Sequence, residues 1–105
     1  MKISYLVLYT NDLDKTKSFY EGLGFRLTPE SHGTGPLHYS CTLDSLVVEL
    51  YPTRKSPTVT RIGVVHPALE TLLSSRPDIH PNKLGNYEIK DPQGTTIEFL
   101  KNTPS

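Results

Sequence analysis

Two glutamates, Glu49 and Glu98, are the residues of this chain best placed to do chemistry. Each sits inside a short strand-forming run, LVVELY over residues 46–51 and TTIEFL over residues 95–100. Side chains in a strand alternate between its two faces. Ile97 and Phe99 therefore share one face, while Thr96, Glu98 and Leu100 share the other. The apolar face can pack beneath a helix. The carboxylate then stands either at a solvated surface or in a functional concavity. Repetition favours the second. A shift of 49 residues lays Val48-Glu49-Leu50 on Ile97-Glu98-Phe99. Two copies of about fifty residues are too few and too long for a solenoid and point to a duplicated pair of modules.

The elements that must position these carboxylates follow in order. Residues 3–10 alternate as a strand. Asn11 and Asp12 suit a helix N-cap, and a helix is expected from Leu13 to Leu23. Its buried stripe is Leu13, Thr16, Phe19, Tyr20 and Leu23, and Gly24 suits its exit. Residues 25–28 read as a short strand, 29–36 as a loop, 37–43 and 46–51 as a hairpin turning at Asp44-Ser45. The polar, proline-bounded stretch 53–57 reads as a linker between modules 1–52 and 58–105 of a single domain. In the second module, residues 58–65 are a strand. Pro67 suits a first helical position, with Ala68, Leu69, Leu72 and Leu73 as the apolar stripe. Residues 79–83, interrupted by Pro81, read as an edge strand. Residues 87–90 and 95–101 form the last hairpin around Asp91-Pro92-Gln93-Gly94, a sequence suited to tight reversal. Each module reads β-α-β-β-β, so the fold class is α+β.

Composition excludes several functions. Lys+Arg and Asp+Glu are both 11, a formal net charge of zero. Nucleic acid and anionic membranes are therefore not expected as partners. Cys41 is the sole cysteine, which rules out an intrachain disulfide and a cysteine metal cluster. No apolar run reaches membrane-spanning length and no signal-peptide pattern opens the chain, so a cytoplasmic location is expected. At 105 residues and 35% hydrophobic content, the chain buries a modest core, and a homodimer is expected.

The helix end Phe19-Tyr20-Glu21-Gly22-Leu23-Gly24-Phe25 and the ending Asp91-Pro92-Gln93-Gly94-Thr95-Thr96-Ile97-Glu98-Phe99 resemble two signatures of the vicinal oxygen chelate superfamily. That group includes glyoxalases, bleomycin-resistance proteins and extradiol dioxygenases. The resemblance covers essentially the whole chain. It implies two βαβββ modules forming a curved, cavity-enclosing mixed sheet with helices on the outer face. It also implies a cavity where metal-using members hold a divalent ion with one residue from each of four strands. Those positions fall on Tyr5, Glu49, Arg61 and Glu98. Glu49 and Glu98 match, whereas Tyr5 and Arg61 stand where histidines are common. A guanidinium has no lone pair to give a metal, so no cofactor is expected. Arg61 is instead expected near Glu49 and Glu98, compensating their charge.

Strand parity puts Tyr5, Val7, Tyr9, Val47, Glu49, Tyr51, Val59, Arg61, Gly63, Thr96 and Glu98 on the cavity face. The ligand-binding set is Tyr5, Val7, Tyr9, Val47, Glu49, Tyr51, Arg61, Thr96 and Glu98, a mixed lining suited to a small organic molecule. The helix-facing set is Leu6, Leu8, Val48, Leu50, Ile62, Val64, Ile97 and Phe99. Of the four histidines, His32 and His80 read as solvent-exposed and His66 as a neighbour of the second helix's N-cap. His38, on a strand, could reach the cavity rim as a general base. No nucleophile elbow, phosphate loop or dinucleotide fingerprint occurs. The expected function is non-catalytic binding of a small organic molecule, with the family's metal site lost. The alternatives are a lyase, isomerase or dioxygenase holding a divalent metal ion through Glu49 and Glu98, and a regulatory or partner-binding module with a vestigial cavity.

Overall fold

In the computed structural model, which describes residues 4–55 and 60–101, β1 (Tyr5–Thr10) runs into α1 (Leu13–Gly22) through a built N-terminus. The Asp12 carboxylate accepts from the Lys15 backbone N–H at 3.2 Å, and the Thr10 hydroxyl accepts from the Asp12 N–H at 3.0 Å. Gly24 takes a φ of +103° just past the helix, where an L side chain is disfavoured. The Phe25 N–H then donates back to the Tyr20 carbonyl at 3.1 Å. That bond holds Phe25 against the helix end, its ring 5.1 Å from that of Tyr20. The next strand, β2, accordingly starts at Thr28 and spans Thr28–Glu30 rather than the expected 25–28. β3 (His38–Leu43) and β4 (Leu46–Pro52) complete the first module, joined at Asp44 with φ +54°.

The second module repeats the plan: β5 (Arg61–Val64), α2 (Leu69–Ser75), β6 (His80–Pro81), β7 (Tyr87–Lys90) and β8 (Thr96–Phe99). The ladders are ordered β1-β4-β3-β2 and β5-β8-β7-β6. In each, first and last strands pair parallel and the other neighbours antiparallel. The fold is thus α+β, two βαβββ modules each carrying a four-stranded mixed sheet. The chain divides into compact units Met1–Thr58 and Val59–Ser105. Residues 56 and 57 of the expected linker, and 58 and 59 at the start of the expected fifth strand, lie outside the described residues.

Helix α2 begins two residues later than Pro67 suggested. The imidazole Nδ1 of His66 accepts the Ala68 N–H at 3.0 Å, so Ala68 becomes the N-cap and Pro67 sits in the preceding turn. The edge strand expected over 79–83 shortens to His80–Pro81, at the end of its ladder. Proline there loses no ladder bond to a missing neighbour.

Burial alternates with parity along β4, whereas all four residues of β8 are buried. Leu8, Val48, Leu50, Ile97 and Phe99 are buried, together with Tyr20 and Leu23 of the α1 region. Leu6, Ile62 and Val64 are only half-buried, contrary to expectation. They lie on β1 and β5, the outermost strands of their ladders, which have a neighbour on one side only. A hydroxyl pair, Thr10 and Thr16, bonds at 2.8 Å between β1 and α1 and satisfies two polar side chains that are each 1% exposed.

The reversal before β8 is held by one side chain. Asp91 Oδ1 accepts from the N–H groups of Gln93 at 2.8 Å and Thr95 at 2.9 Å, while Gly94 turns at φ +91°. Asp91 and Thr95 are both buried. Asp91→Ala should therefore destabilise the protein by about 1–3 kcal/mol in urea denaturation, the cost of leaving a buried donor without its acceptor. Asp91→Asn, which keeps a carbonyl oxygen there, should cost less than Asp91→Ala.

Candidate functional site

The parallel register of β1 on β4 pairs Tyr5 with Val47, Val7 with Glu49 and Tyr9 with Tyr51. β3 continues the rungs, with Thr42 beside Val47 and Ser40 beside Glu49. β2 adds Thr28 beside Ser40 and Glu30 beside His38. One face of the first module therefore carries rows of chemically active side chains, opposite the face that carries Leu8, Val48 and Leu50. Tyr9 and Tyr51 sit with ring centroids 6.4 Å apart, and Tyr51 stacks on His38 at 4.1 Å with planes 10° apart. Burial first, then the charges of Glu49 and Glu30, push the Tyr51 phenol up from its ordinary value. Its hydroxyl therefore stays protonated and can donate.

His38 is the most confined residue of this face, its side chain 2% exposed. Its Nδ1 lies 3.2 Å from the Pro36 carbonyl oxygen, which can only accept, so Nδ1 carries the proton. Among the described residues its Nε2 has no hydrogen-bond partner. That atom lies 3.7 Å from Glu30 Oε2 and 3.6 Å from Glu49 Oε2. Glu30 is held in turn. The Ser40 hydroxyl donates to its Oε1, and His32 Nε2 lies 3.2 Å from its Oε2. The Ser40 bond, then the bond and charge of His32 and the charge of His38, draw the Glu30 carboxyl below its ordinary value against desolvation. Glu30 and His32 were not singled out from the sequence. The spacing Glu30-x-His32 at the end of a strand, two side chains on one side, is the signal that could have found them.

In the second module, Glu98 is 6% exposed and both its oxygens are engaged. Arg61 Nη1 donates to Oε1 at 3.1 Å. The amides of Asn82 and Asn86 donate to Oε2 at 2.9 and 3.1 Å. Arg61 also lies 3.8 Å from Glu88, a carboxylate the sequence reading had not paired with it. Thr96 is buried on the rung beside Arg61, and Gly63 pairs with Glu98. An added Cβ at Gly63 would meet nothing nearer than Leu100 at 3.8 Å, so close packing does not demand glycine there. Asn82 and Asn86 were missed because they belong to the turn Asn82-Lys83-Leu84-Gly85-Asn86, where asparagine is ordinary turn chemistry. His32 and His80 are exposed. A cleft of about 810 Å³ between Pro67, Leu69, Leu73, Tyr87 and Lys101 includes none of the expected site residues. Cys41 is buried, and burial raises its thiol's pKa, as suits a small apolar side chain rather than a nucleophile.

The Glu98 carboxyl lies below its ordinary 4.5, first through Asn82, then Asn86; desolvation opposes this and Arg61 adds to it. A depressed folded value contributes stability above the unfolded value and loses it as pH falls through the folded one. The stability gap between the wild type and Glu98→Gln should thus be full at neutral pH and close below about pH 4.3. The double change Asn82→Ala, Asn86→Ala should move the acid limb upward more than Arg61→Ala does, because the guanidinium is half exposed and screened. Urea titrations across that pH range measure both.

Known proteins share this fold. The model of the Glyoxalase/Bleomycin resistance protein/Dioxygenase superfamily matches residues 2–80. Among solved structures, YycE of Bacillus subtilis, described as a putative glyoxalase/fosfomycin resistance protein, aligns with TM-score 0.75 at 18% identity over 98% of this chain and 91% of its own. Oxidase ChaP-H2 aligns with TM-score 0.75 at 10% identity, covering 98% and 94%. Virulence protein STM3117 of Salmonella typhimurium aligns with TM-score 0.70 at 19% identity, covering 94% of each chain. At these identities the likeness is one of fold. No curated protein matches the chain.

Proposed function

The chain belongs to the Glyoxalase/Bleomycin resistance protein/Dioxygenase superfamily, and from that membership we propose that it binds a small organic molecule without the family's metal centre. The residues at the family's ligand positions fit an ion poorly. Arg61 brings a permanent cation with no lone pair and lies on Glu98. Glu98 spends both oxygens on three donors. Tyr5 is 64% exposed and would have to ionise to ligate.

The observation that carries the binding reading is the tyrosine pair on the open face of the first module. Tyr9 is 57% exposed beside Tyr51, with Glu49 one rung away. Large apolar rings left in water next to a carboxylate offer a flat organic ligand both area and an anchor for a donor or cationic group.

Screening a library of small aromatic compounds by thermal shift tests this. A ligand at about 100 times its Kd adds about 2.7 kcal/mol and lifts the midpoint by several degrees. Tyr9→Ala should weaken any hit by at least about tenfold, a loss of about 1.4 kcal/mol, without lowering the stability of the free protein by much. No hit across a broad library, or a hit indifferent to Tyr9→Ala and Glu49→Gln, would overturn the reading.

A further inference from the structure

On the β2–β3 side of the first module, three groups with electron pairs to give converge: Glu30, His32 and His38. Their ligating atoms all lie within 4.8 Å of one another. We propose that they form a binding site for one divalent transition-metal ion of the zinc type. The site is not the family position, since two of its three residues come from β2 and β3 and the third from the loop between them. The inference does not depend on the small-molecule reading.

The decisive atom is His38 Nε2. With a proton on Nδ1 committed to the Pro36 carbonyl, Nε2 of the neutral ring presents a lone pair. It is buried, unpartnered, and aimed between the oxygens of Glu30 and Glu49. Three electron-rich atoms facing one another in a confined space repel unless a positive charge stands among them. A proton on Nε2 would supply that charge and so would a metal ion, and charge-assisted N–H···O bonds run to about 2.7–2.9 Å. The separations here are 3.6 and 3.7 Å. With metal bonds of about 2.0–2.1 Å, donors at the corners of a tetrahedron lie about 3.3 Å apart. The observed Glu30–His32 and Glu30–His38 separations of 3.2 and 3.7 Å bracket that edge.

The surrounding contacts are those that orient metal ligands. His38 gives its other ring N–H to a backbone carbonyl, and the second oxygen of Glu30 accepts from Ser40, so tautomer and carboxylate are both fixed. Tyr51 stacked on one side and His32 tilted 5.2 Å away restrain the His38 ring. Two imidazoles and a carboxylate suit zinc and its neighbours better than magnesium or calcium. Three protein donors leave a fourth position for water or a ligand. Glu49, 3.6 Å from Nε2, adds negative charge beside it.

Titration of the metal-free full chain with zinc alone, followed by calorimetry and by competition with a chromogenic chelator, tests the proposal. One ion per chain is expected, at micromolar affinity or tighter. His32→Ala should weaken it at least tenfold; that ring is 72% exposed, so its loss leaves the fold intact. His38→Gln and Glu30→Gln should weaken it further, and His80→Ala should change nothing. Zinc binding unaffected by His32→Ala and by His38→Gln would overturn the proposal. So would an ion lost on Glu98→Gln but kept on His32→Ala, which would place it at the family position instead. Absence of any zinc uptake by the wild type would also overturn it.

Discussion

Parallel pairing between the first and last strand of each module governs what every other side chain can do. A parallel pair cannot be joined by a tight turn, so the chain must leave the sheet and return. That return carries a helix and two further strands. Once the register is set, period-two alternation sends Leu8, Val48 and Leu50 to one face and Val7, Glu49 and Tyr51 to the other. A slip of one residue would exchange the two sets, exposing leucine and burying carboxylate. The apolar row thus fixes the positions of the polar row. The Thr10–Thr16 hydroxyl pair reinforces this by tying the strand's end to the helix.

Electrostatics then separates two glutamates that the duplication placed on equivalent rungs. Glu98 stands in a ring of donors, two of them neutral amides, and is stabilised as a carboxylate without external help. Burial of an ion this deep is tolerable only because both oxygens are satisfied. Glu49 has no such ring. Its near neighbour is the His38 imidazole, whose Nε2 lies 3.6 Å away. One module has closed its charge internally, and the other holds it open to whatever cation or donor arrives.

Much of this was legible from the residues. Alternation and the 49-residue shift gave the modules, the strand count and the sharing of a face by Tyr5, Val7, Tyr9, Val47, Glu49 and Tyr51. Arg61 was legible as a partner of Glu98 because both fall on the same face of adjacent strands. What escaped reading arose from contacts that span turns. Nothing in the local pattern of residues 82–86 says that two asparagine amides will reach a carboxylate in β8. Likewise, His38 reads as a strand residue of uncertain destination until the Pro36 carbonyl fixes its tautomer. Helix α2 shows the same limit, where the His66 imidazole overrides the preference of Pro67 for a first turn.

The duplication also supplies an internal control on His38. In the first module, Ser40 faces Glu49 and the next rung towards the start of β3 holds His38 beside Tyr51. In the second, Glu88 faces Glu98, and the equivalent position two residues back is Asn86, in the turn just before β7. The equivalent positions thus hold an amide that donates to its carboxylate and an imidazole whose Nε2 lies 3.6 Å from Glu49. If stability alone governed the position, a donor would serve in both, as it does for Glu98. Burying an acceptor among acceptors costs free energy, on the order of 1–3 kcal/mol for an unsatisfied polar group. In the first module a proton or a cation at that nitrogen would do for Glu49 what the Asn86 amide does for Glu98.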